Sequence, residues 1–251
     1  MAMKPKPYLR EVWLDRTNIS RFGSYPFNLP AVRSLDNLVL HPDVTFIIGE
    51  NGCGKSTMLE AIAIAWGFNP EGGTINFNFS TRASHSELHQ HIRLVRSFKH
   101  PQDGFFLRAE SFFNLATNMD HLDAEPGFSP PIRESYGGRS LHEQSHGESF
   151  LSLMLHRFGG NGLYILDEPE AALSPTRQMA VLRRMHDLVR SESQFVVATH
   201  SPILMAYPRA KILLVDEAGI TEVSYENTEH YAVMKEFLND PHRMMKELFA
   251  D

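Results

Sequence analysis

The sequence predicts an α/β fold with a central parallel or mixed sheet, an antiparallel β lobe and a helical lobe, and three apolar runs carry this prediction. Val44–Ile48 leads into a glycine-rich turn and then a helical pattern. Leu163–Leu166 ends in Asp167-Glu168, and Phe195–Thr199 ends in His200. Continuous apolar runs are typical of parallel strands buried on both faces, and ligands bind at the carboxyl ends of such strands. The three strand ends are therefore the candidate site.

Composition limits the classes of protein that the chain can belong to. With 251 residues and 42% apolar content, the chain can bury one sizeable core. The formal net charge of -6 argues against nucleic-acid binding by overall charge and leaves a local basic patch open.

Cys53 is the single cysteine, which excludes an internal disulfide and favours a reducing compartment. No apolar run approaches the ~20 residues of a membrane span, and Met1–Pro7 lacks the apolar segment of a signal peptide. We expect a cytoplasmic protein without membrane insertion.

The chain is expected to form one domain, 1–251, with three parts. Leu9–Leu14 has a strand pattern, and Ile92–Lys99 and Phe105–Arg108 flank a Pro- and Asp-Gly-containing turn, which predicts an antiparallel hairpin. A Pro- and Gly-rich stretch from Asp123 to Gly138 is typical of a loop. The predicted parts are an antiparallel β lobe mainly over 1–43 and 72–110, a helical lobe over about 111–160, and a core over 44–68 and 161–251.

The glycine-rich turn Gly49–Thr57 fits the pattern G-x-x-x-x-G-K-[ST] between a strand and a helix, as a phosphate-binding loop requires. Its glycines allow the backbone N–H groups to point at a phosphate, and the helix presents its positive end to the same anion. Lys55 adds a full charge, and Ser56 offers a hydroxyl to Mg²⁺ bridging the β- and γ-phosphates. The predicted nucleotide-binding residues of this loop are Asn51, Gly52, Cys53, Gly54, Lys55, Ser56 and Thr57.

Asp167 and Glu168 are candidates for metal binding and catalysis. Asp167 would hold Mg²⁺ through water, and Glu168 would orient or deprotonate an attacking water. Adjacent acids at a strand end can also be solvated turn residues. His200 can hydrogen-bond the γ-phosphate or the water, and a structural histidine is the alternative.

Two further segments have functional and structural interpretations. Ser145-His146-Gly147-Glu148-Ser149 precedes an apolar helix, so it is either an anion-binding turn or an ordinary helix cap. Phe22, Tyr25 and Phe27 precede the phosphate loop, where an aromatic ring can stack on adenine or belong to the core. The predicted hairpin is also the most basic stretch, and its charges, including Arg93 and Lys99, either contact a nucleic-acid backbone or are solvated.

Taken together, the motifs resemble those of an ABC-type ATPase over nearly the whole chain. Asn18–Phe22, Asp167–Glu170 and Ala198–Pro202 resemble the RecF/SMC-like branch, most closely its small stand-alone predicted ATPases. The resemblance implies a P-loop NTPase fold with a RecA-like sheet core, ATP and Mg²⁺ as ligands, ATP hydrolysis, and a head-to-tail homodimer. In that dimer, ATP bound to Lys55 and Ser56 of one subunit would be covered by Ser145, Gly147 and Glu148 of the other.

The sequence departs from the family pattern at two places. The signature turn reads Ser-His-Gly-Glu-Ser, whereas transporters usually carry Leu-Ser-Gly-Gly-Gln. No glutamine is obvious at the loop that connects the lobes, where Glu110 is the substitute metal contact.

Three functions are compatible with the resemblance. The first is an ATP-hydrolysing, RecF/SMC-like dimer acting on DNA or on a DNA-associated protein. The second is the nucleotide-binding subunit of a membrane transporter, against which the divergent signature counts. The third is a slow ATP-dependent switch that recruits an effector protein.

Overall fold

A six-stranded mixed sheet forms the centre of the computed structural model, which describes residues 7–75, 85–108, 117 and 146–250. Its strands run in the order β5-β6-β7-β3-β8-β9. The strands are β3 (Val44–Gly49), β5 (Asp103–Arg108), β6 (Gly162–Asp167), β7 (Gln194–Ala198), β8 (Lys211–Asp216) and β9 (Gly219–Val223). All neighbouring pairs are parallel except β8–β9, which forms an antiparallel hairpin around residues 216–219. The predicted fold class is confirmed.

A smaller antiparallel sheet lies beside the central one, with strands β1 (Leu9–Leu14), β2 (Asn37–Val39) and β4 (Ile92–Arg96) in the order β2-β1-β4. The predicted hairpin between 92–99 and 105–108 is wrong. β4 pairs antiparallel with β1, whereas β5 pairs parallel with β6 at the edge of the large sheet. The turn signals at 100–104 mark a crossing between two sheets, so residues 103–108 belong to the central sheet and not to the β lobe.

Helices cover both faces of the large sheet, and several of their ends follow from sequence signals. They are α1 (Pro30–Arg33), α2 (Lys55–Trp66), α3 (His146–Ser152, continued by a π-helical turn Leu153–Arg157), α4 (Pro175–Arg190), α5 (Pro202–Met205), α6 (Glu229–Asn239) and α7 (Pro241–Leu248). Two short 3₁₀ segments, Glu87–His91 and Tyr225–Asn227, precede β4 and α6. Ser174 and Thr228 cap α4 and α6 through their side chains, as Ser and Thr commonly do at helix starts.

The alternation of side chains along the central strands divides the core into two halves. Ile47, Leu163 and Ile165 point to the side that holds α2 and the small sheet. Phe46, Tyr164 and their alternating neighbours point to the side that holds α3, α4 and α5. The apolar segment that begins at α3 contributes buried side chains, but Leu155 is 47% exposed, so this segment is less enclosed than its composition suggests. Both faces of the sheet are thus covered, and its strand ends are left to form a site.

Candidate functional site

The phosphate loop joins the end of β3 to the start of α2, and its backbone has the conformation that only glycine adopts readily. Gly52 and Gly54 have φ of +83° and +101°. Gly49 has φ of +147°, and a Cβ there would lie 2.2 Å from the Val215 carbonyl oxygen. Side chains at these positions would strain the loop or collide with β8. The loop therefore depends on its glycines for its shape, as the motif predicts.

Lys55, the first residue of α2, is almost wholly buried beneath this loop. Its ammonium donates hydrogen bonds to the carbonyl oxygens of Gly49 (2.8 Å) and Glu50 (2.9 Å). No carboxylate is paired with it in the part of the chain that the structure describes. A buried cation that is compensated by carbonyl dipoles and not by a paired carboxylate is suited to an anionic ligand.

Ser56 links the phosphate loop to the neighbouring strand end. Its hydroxyl donates a 3.0 Å hydrogen bond to Oδ1 of Asp167, the last residue of β6. Asp167 is 7% exposed and aligns with Ala198 of β7 on one side and Arg108 of β5 on the other. A hydroxyl and a carboxylate, both hard oxygen donors, therefore meet where the motifs place Mg²⁺.

Glu168 and His200 face each other one strand further along. Glu168 has φ of +48°, and its backbone N–H donates to the Ala198 carbonyl oxygen at 2.9 Å. This left-handed conformation is uncommon for a residue other than glycine, and such residues cluster at functional sites. The Glu168 side chain is 39% exposed, and its Oε1 lies 3.7 Å from His200 Nε2. The two predicted catalytic side chains are thus together at the open end of the sheet.

His200 is surrounded by groups that favour its neutral form. Burial lowers its pKa, and the positive charge of Lys55 lowers it further, against the opposing effects of Glu168 and Glu50. His200 Nε2 is buried and has no hydrogen-bond partner among the described residues, while Nδ1 lies 3.2 Å from His230 Nε2. A neutral imidazole with one free nitrogen directed at the site can serve as a hydrogen-bond donor or acceptor for a ligand.

Glu170 holds the loop after Asp167 against the loop that carries His200. Its Oε1 accepts a 2.6 Å hydrogen bond from the His200 backbone N–H, which fixes the histidine relative to β6. Burial raises the pKa of Glu170 despite this hydrogen bond. Asp167, Glu168 and His200 are therefore held by side-chain contacts as well as by the sheet.

Parts of the predicted signature turn lie at the start of α3. Gly147 is buried against the loop after β6, where a Cβ would lie 2.4 Å from the Ala172 carbonyl oxygen. Glu148 is exposed and forms a 3.0 Å ion pair with Arg177 of α4. The structure thus packs this turn against the segment between β6 and α4 of the same chain. Ser145 and Glu110 lie outside the described residues.

The aromatic and basic candidates separate into buried and exposed groups. Phe27 is buried, so it belongs to the core, whereas Phe22 and Tyr25 are 40% and 61% exposed.

Arg93 pairs with Asp15 at 3.0 Å, and Arg96 donates to the carbonyl oxygens of Ala65 and Trp66. These two arginines of β4 thus have intramolecular partners.

Sequence reasoning missed three contributors to the site. His230 and Glu170 contact His200, and Glu50 contributes a carbonyl to Lys55. Glu170 belongs to the Asp167–Glu170 motif and could have been found there. His230 is thirty positions from His200, on a C-terminal helix, and no sequence signal links the two.

Two family models match the chain, each over less than half of its length. A model described as "AAA domain, putative AbiEii toxin, Type IV TA system" matches residues 132–206, and one described as "AAA domain" matches residues 18–115. Together the matched segments contain the phosphate loop, Asp167-Glu168 and His200.

Curated relatives and solved structures agree on the kind of fold. The chain is 26% identical to "ABC transporter G family member STR2" of Medicago truncatula over 63% of this chain and 24% of that protein. It is 27% identical to an "Uncharacterized ABC transporter ATP-binding protein" of Haemophilus influenzae over 68% of this chain and 69% of that one. The chain thus spans about a quarter of the plant relative. The structure of MJ1267, "an ATP-binding cassette of an ABC transporter", superposes with a TM-score of 0.51 at 17% identity, covering 97% of this chain and 99% of that one.

Fold and site define a nucleotide-binding domain of the P-loop class, with the fold of an ABC cassette. The two family-model matches, both to AAA domains, are consistent with the predicted resemblance to ABC-type ATPases of the RecF/SMC-like branch. In the described parts of the chain, no helix has both the length and the apolarity to cross a membrane.

Proposed function

We propose that the chain binds ATP with Mg²⁺ and hydrolyses it at the ends of β3, β6 and β7. The observation that supports this most strongly is the 3.0 Å contact between Ser56 and Asp167, which joins the phosphate loop to the acidic strand end. A nucleotide site at the carboxyl ends of parallel strands requires residues that are far apart in sequence to meet there. Buried Lys55 supplies positive charge beside that contact.

The residues present fit ATP and Mg²⁺. Ser56 would contact the metal directly and Asp167 would hold it through water, since both offer hard oxygen ligands. The buried Nε2 of His200, without a hydrogen-bond partner among the described residues, fits a phosphate oxygen or a water. When bound, Mg²⁺ neutralises charge on the β- and γ-phosphates. Site roles for Asn51, Thr57 and the other loop residues rest on the motif.

The side chains of the site divide the chemical work. Lys55 and the loop N–H groups bind and orient the phosphates, and their fixed positive charge favours the charge that develops during transfer. Glu168 is partly exposed and faces His200, so its carboxylate can orient a water and accept its proton. His200 holds the γ-phosphate or the water by one hydrogen bond. Both residues are catalytic residues in this proposal.

Dimerisation would complete the site. Glu168 is 39% exposed, so water reaches the proposed catalytic carboxylate in a single chain. In the proposed head-to-tail dimer, the partner's signature turn would cover the nucleotide and exclude bulk solvent, while the water that Glu168 orients remains. The packing of Gly147 on the loop after β6 supports this, because it couples the signature turn to the segment that carries Glu168.

ATP turnover and mass should be measured together, for the wild type, Lys55→Ala and Glu168→Gln. Lys55→Ala is expected to abolish ATP binding, since it removes the buried charge. Glu168→Gln should keep ATP binding and accumulate as a dimer in light scattering, and its hydrolysis should be slowed by ~10²-fold or more. If Glu168→Gln hydrolyses at the wild-type rate, the role given to Glu168 is wrong. Absence of turnover in the wild type under all conditions would refute hydrolysis.

DNA or a DNA-associated protein is the partner that the branch resemblance suggests. Because Arg93 and Arg96 already have intramolecular partners, we expect a DNA contact to use a further surface, such as one that the dimer creates. Stimulation of turnover by double-stranded DNA would support this role. A dimer that forms with ATP and turns over very slowly in the presence of DNA would instead support a switch that recruits an effector.

A transporter subunit is the second candidate, and it is favoured by the names of the two relatives, which are both ABC transporter proteins. This function predicts that the trapped Glu168→Gln dimer co-purifies with a membrane protein that stimulates the wild-type ATPase. The divergent signature Ser145–Ser149 counts against it.

A further inference from the structure

The contact between His200 and His230 lies beside the proposed catalytic pair. His200 Nδ1 and His230 Nε2 are 3.2 Å apart, with ring centroids at 5.4 Å and an interplanar angle of 50°. This separation is suited to a hydrogen bond between two ring nitrogens. On the other side of His200, Nε2 points toward Oε1 of Glu168 at 3.7 Å. Nδ1 of His200 therefore contacts α6, whereas Nε2 is directed at the site.

Local structure fixes His230 at this place. Thr228 is 2% exposed, accepts a hydrogen bond from the Tyr231 backbone N–H and donates one to the Tyr225 carbonyl oxygen. These bonds set the start of α6 two residues before His230 and connect it to the preceding 3₁₀ turn. The cap fixes the backbone position of His230, and its half-buried side chain lies in contact with His200.

The arrangement of charges selects one tautomer of His200. Both imidazoles are favoured in their neutral forms, because burial lowers the pKa of each. Two neutral rings in contact must share one proton, so one nitrogen donates and the other accepts. If His200 donated from Nδ1, its Nε2 lone pair would face the Glu168 carboxylate and any phosphate bound there. If His230 donates, His200 keeps its proton on Nε2 and presents an N–H to those anions, which is the favourable arrangement.

We propose that His230 is a positioning residue: its Nε2–H donates to His200 Nδ1 and so holds His200 as the Nε2–H tautomer, ready to donate a hydrogen bond into the site. His230 does not touch the reacting atoms. The C-terminal helix α6 thereby determines which ring nitrogen of His200 carries the proton. Only the kinetic part of the test below rests on the proposed ATP hydrolysis.

The first test is spectroscopic and uses the nucleotide-free protein. Long-range ¹H–¹⁵N spectra distinguish protonated from unprotonated ring nitrogens, and the His200→Asn and His230→Asn variants assign the signals by their loss. We expect His200 protonated at Nε2, with the Nδ1 resonance shifted as for a hydrogen-bond acceptor. In His230→Phe, that Nδ1 resonance should move to the position of a free acceptor. A His200 protonated at Nδ1, or a resonance unchanged in His230→Phe, would overturn the inference.

The second test compares variants that place an amide at different points. A glutamine amide nitrogen can occupy the position of histidine Nε2, whereas an asparagine amide corresponds to Nδ1. Under saturating ATP, His230→Phe and His230→Asn should hydrolyse about fivefold to tenfold more slowly, the rate equivalent of one hydrogen bond. His230→Gln should stay within about twofold of the wild type, and ATP affinity should be unchanged in all three.

His242→Phe is the matched control, because His242 is an exposed histidine on the adjacent helix α7. It should leave both the His200 spectrum and the turnover unchanged. Equal slowing in His230→Gln and His230→Asn would contradict a role for the Nε2 donor. A wild type with the expected spectrum but no turnover would refute the proposed function and not this inference. A wild type that hydrolyses ATP but has His200 protonated at Nδ1 would refute this inference and not the proposed function.

Discussion

Gln194, the buried first residue of β7, ties the large sheet to the small one, and its replacement by leucine tests how the two are joined. Its Oε1 accepts hydrogen bonds from the backbone N–H groups of Tyr8 (2.9 Å) and Leu9 (3.0 Å). Its Nε2 donates to the carbonyl oxygens of Leu9 (2.8 Å) and His41 (3.0 Å). One side-chain amide therefore satisfies four backbone groups at the start of β1 and before β3.

Gln194→Leu approximately keeps the volume of the side chain and removes the amide to which all four backbone groups are hydrogen-bonded. Tyr8, Leu9 and Gln194 are fully buried, so water cannot replace the lost bonds without opening the junction. Each buried polar group left without a partner costs about 1–3 kcal/mol. The four groups share one site and can relax together, so we expect a loss of roughly 4 kcal/mol in the free energy of unfolding. This is a large part of the 5–15 kcal/mol that is typical of a domain.

Urea unfolding followed by tryptophan fluorescence and circular dichroism measures this loss. With a dependence on urea of about 3 kcal/mol per molar, the midpoint should fall by more than about 1 M. Gln102→Leu, the same substitution at an exposed position, is the control and should shift the midpoint little. If the two variants lose equal stability, or if Gln194→Leu loses less than about 1 kcal/mol, the junction does not depend on these hydrogen bonds.

Two other predictions concern Tyr164 and Cys53. Burial opposes ionisation of Asp103, but hydrogen bonds from the Tyr164 hydroxyl and the Gly159 N–H hold its pKa below the usual range. Asp103 therefore stabilises the fold above pH ~4, and this contribution is lost as the pH falls through its folded-state pKa. Tyr164→Phe should destabilise the protein more at pH 7 than at pH values below the folded-state pKa of Asp103, and a pH-independent difference in urea unfolding would contradict this. Cys53 is 7% exposed within the phosphate loop, so its alkylation should be slow and, once quantitative, should block ATP binding in a calorimetric titration; full binding by the alkylated protein would refute this.

The sequence was sufficient to predict the central strands because they are buried on both faces. Predominantly apolar runs such as Val44–Ile48 and Leu163–Leu166 have few alternatives in a chain of this size. The helix starts at Ser174 and Thr228 were also predictable, because a side-chain cap is a local interaction. The meeting of Ser56 and Asp167 followed from the placement of both motifs at strand ends.

The position of β5 and the partners of the basic residues could not be predicted in the same way. The turn signals before β5 are compatible with a hairpin, and only the pairing of Phe105 and Phe106 with β6 decides that the chain crosses to the other sheet. Arg93 finds its partner at Asp15, 78 positions away, and Arg96 finds carbonyl oxygens at the end of α2. Such contacts depend on the tertiary fold, so composition alone overstates the charge that is available to a ligand.

Helix α2 connects the proposed phosphate site to the small sheet along its whole length. Lys55 and Ser56 lie at its start, Glu60 in its middle pairs with Arg108 at the end of β5 (2.5 Å), and its last carbonyl oxygens accept from Arg96 of β4. Because Arg108 aligns with Asp167 in the sheet, the same helix is also fixed beside the acidic strand end. A displacement of the phosphate loop on ligand binding would thus have to move α2, and α2 cannot move alone without breaking a largely buried ion pair. Among the described residues, α2 thus links the proposed site to β5 through Arg108 and to the small sheet through Arg96.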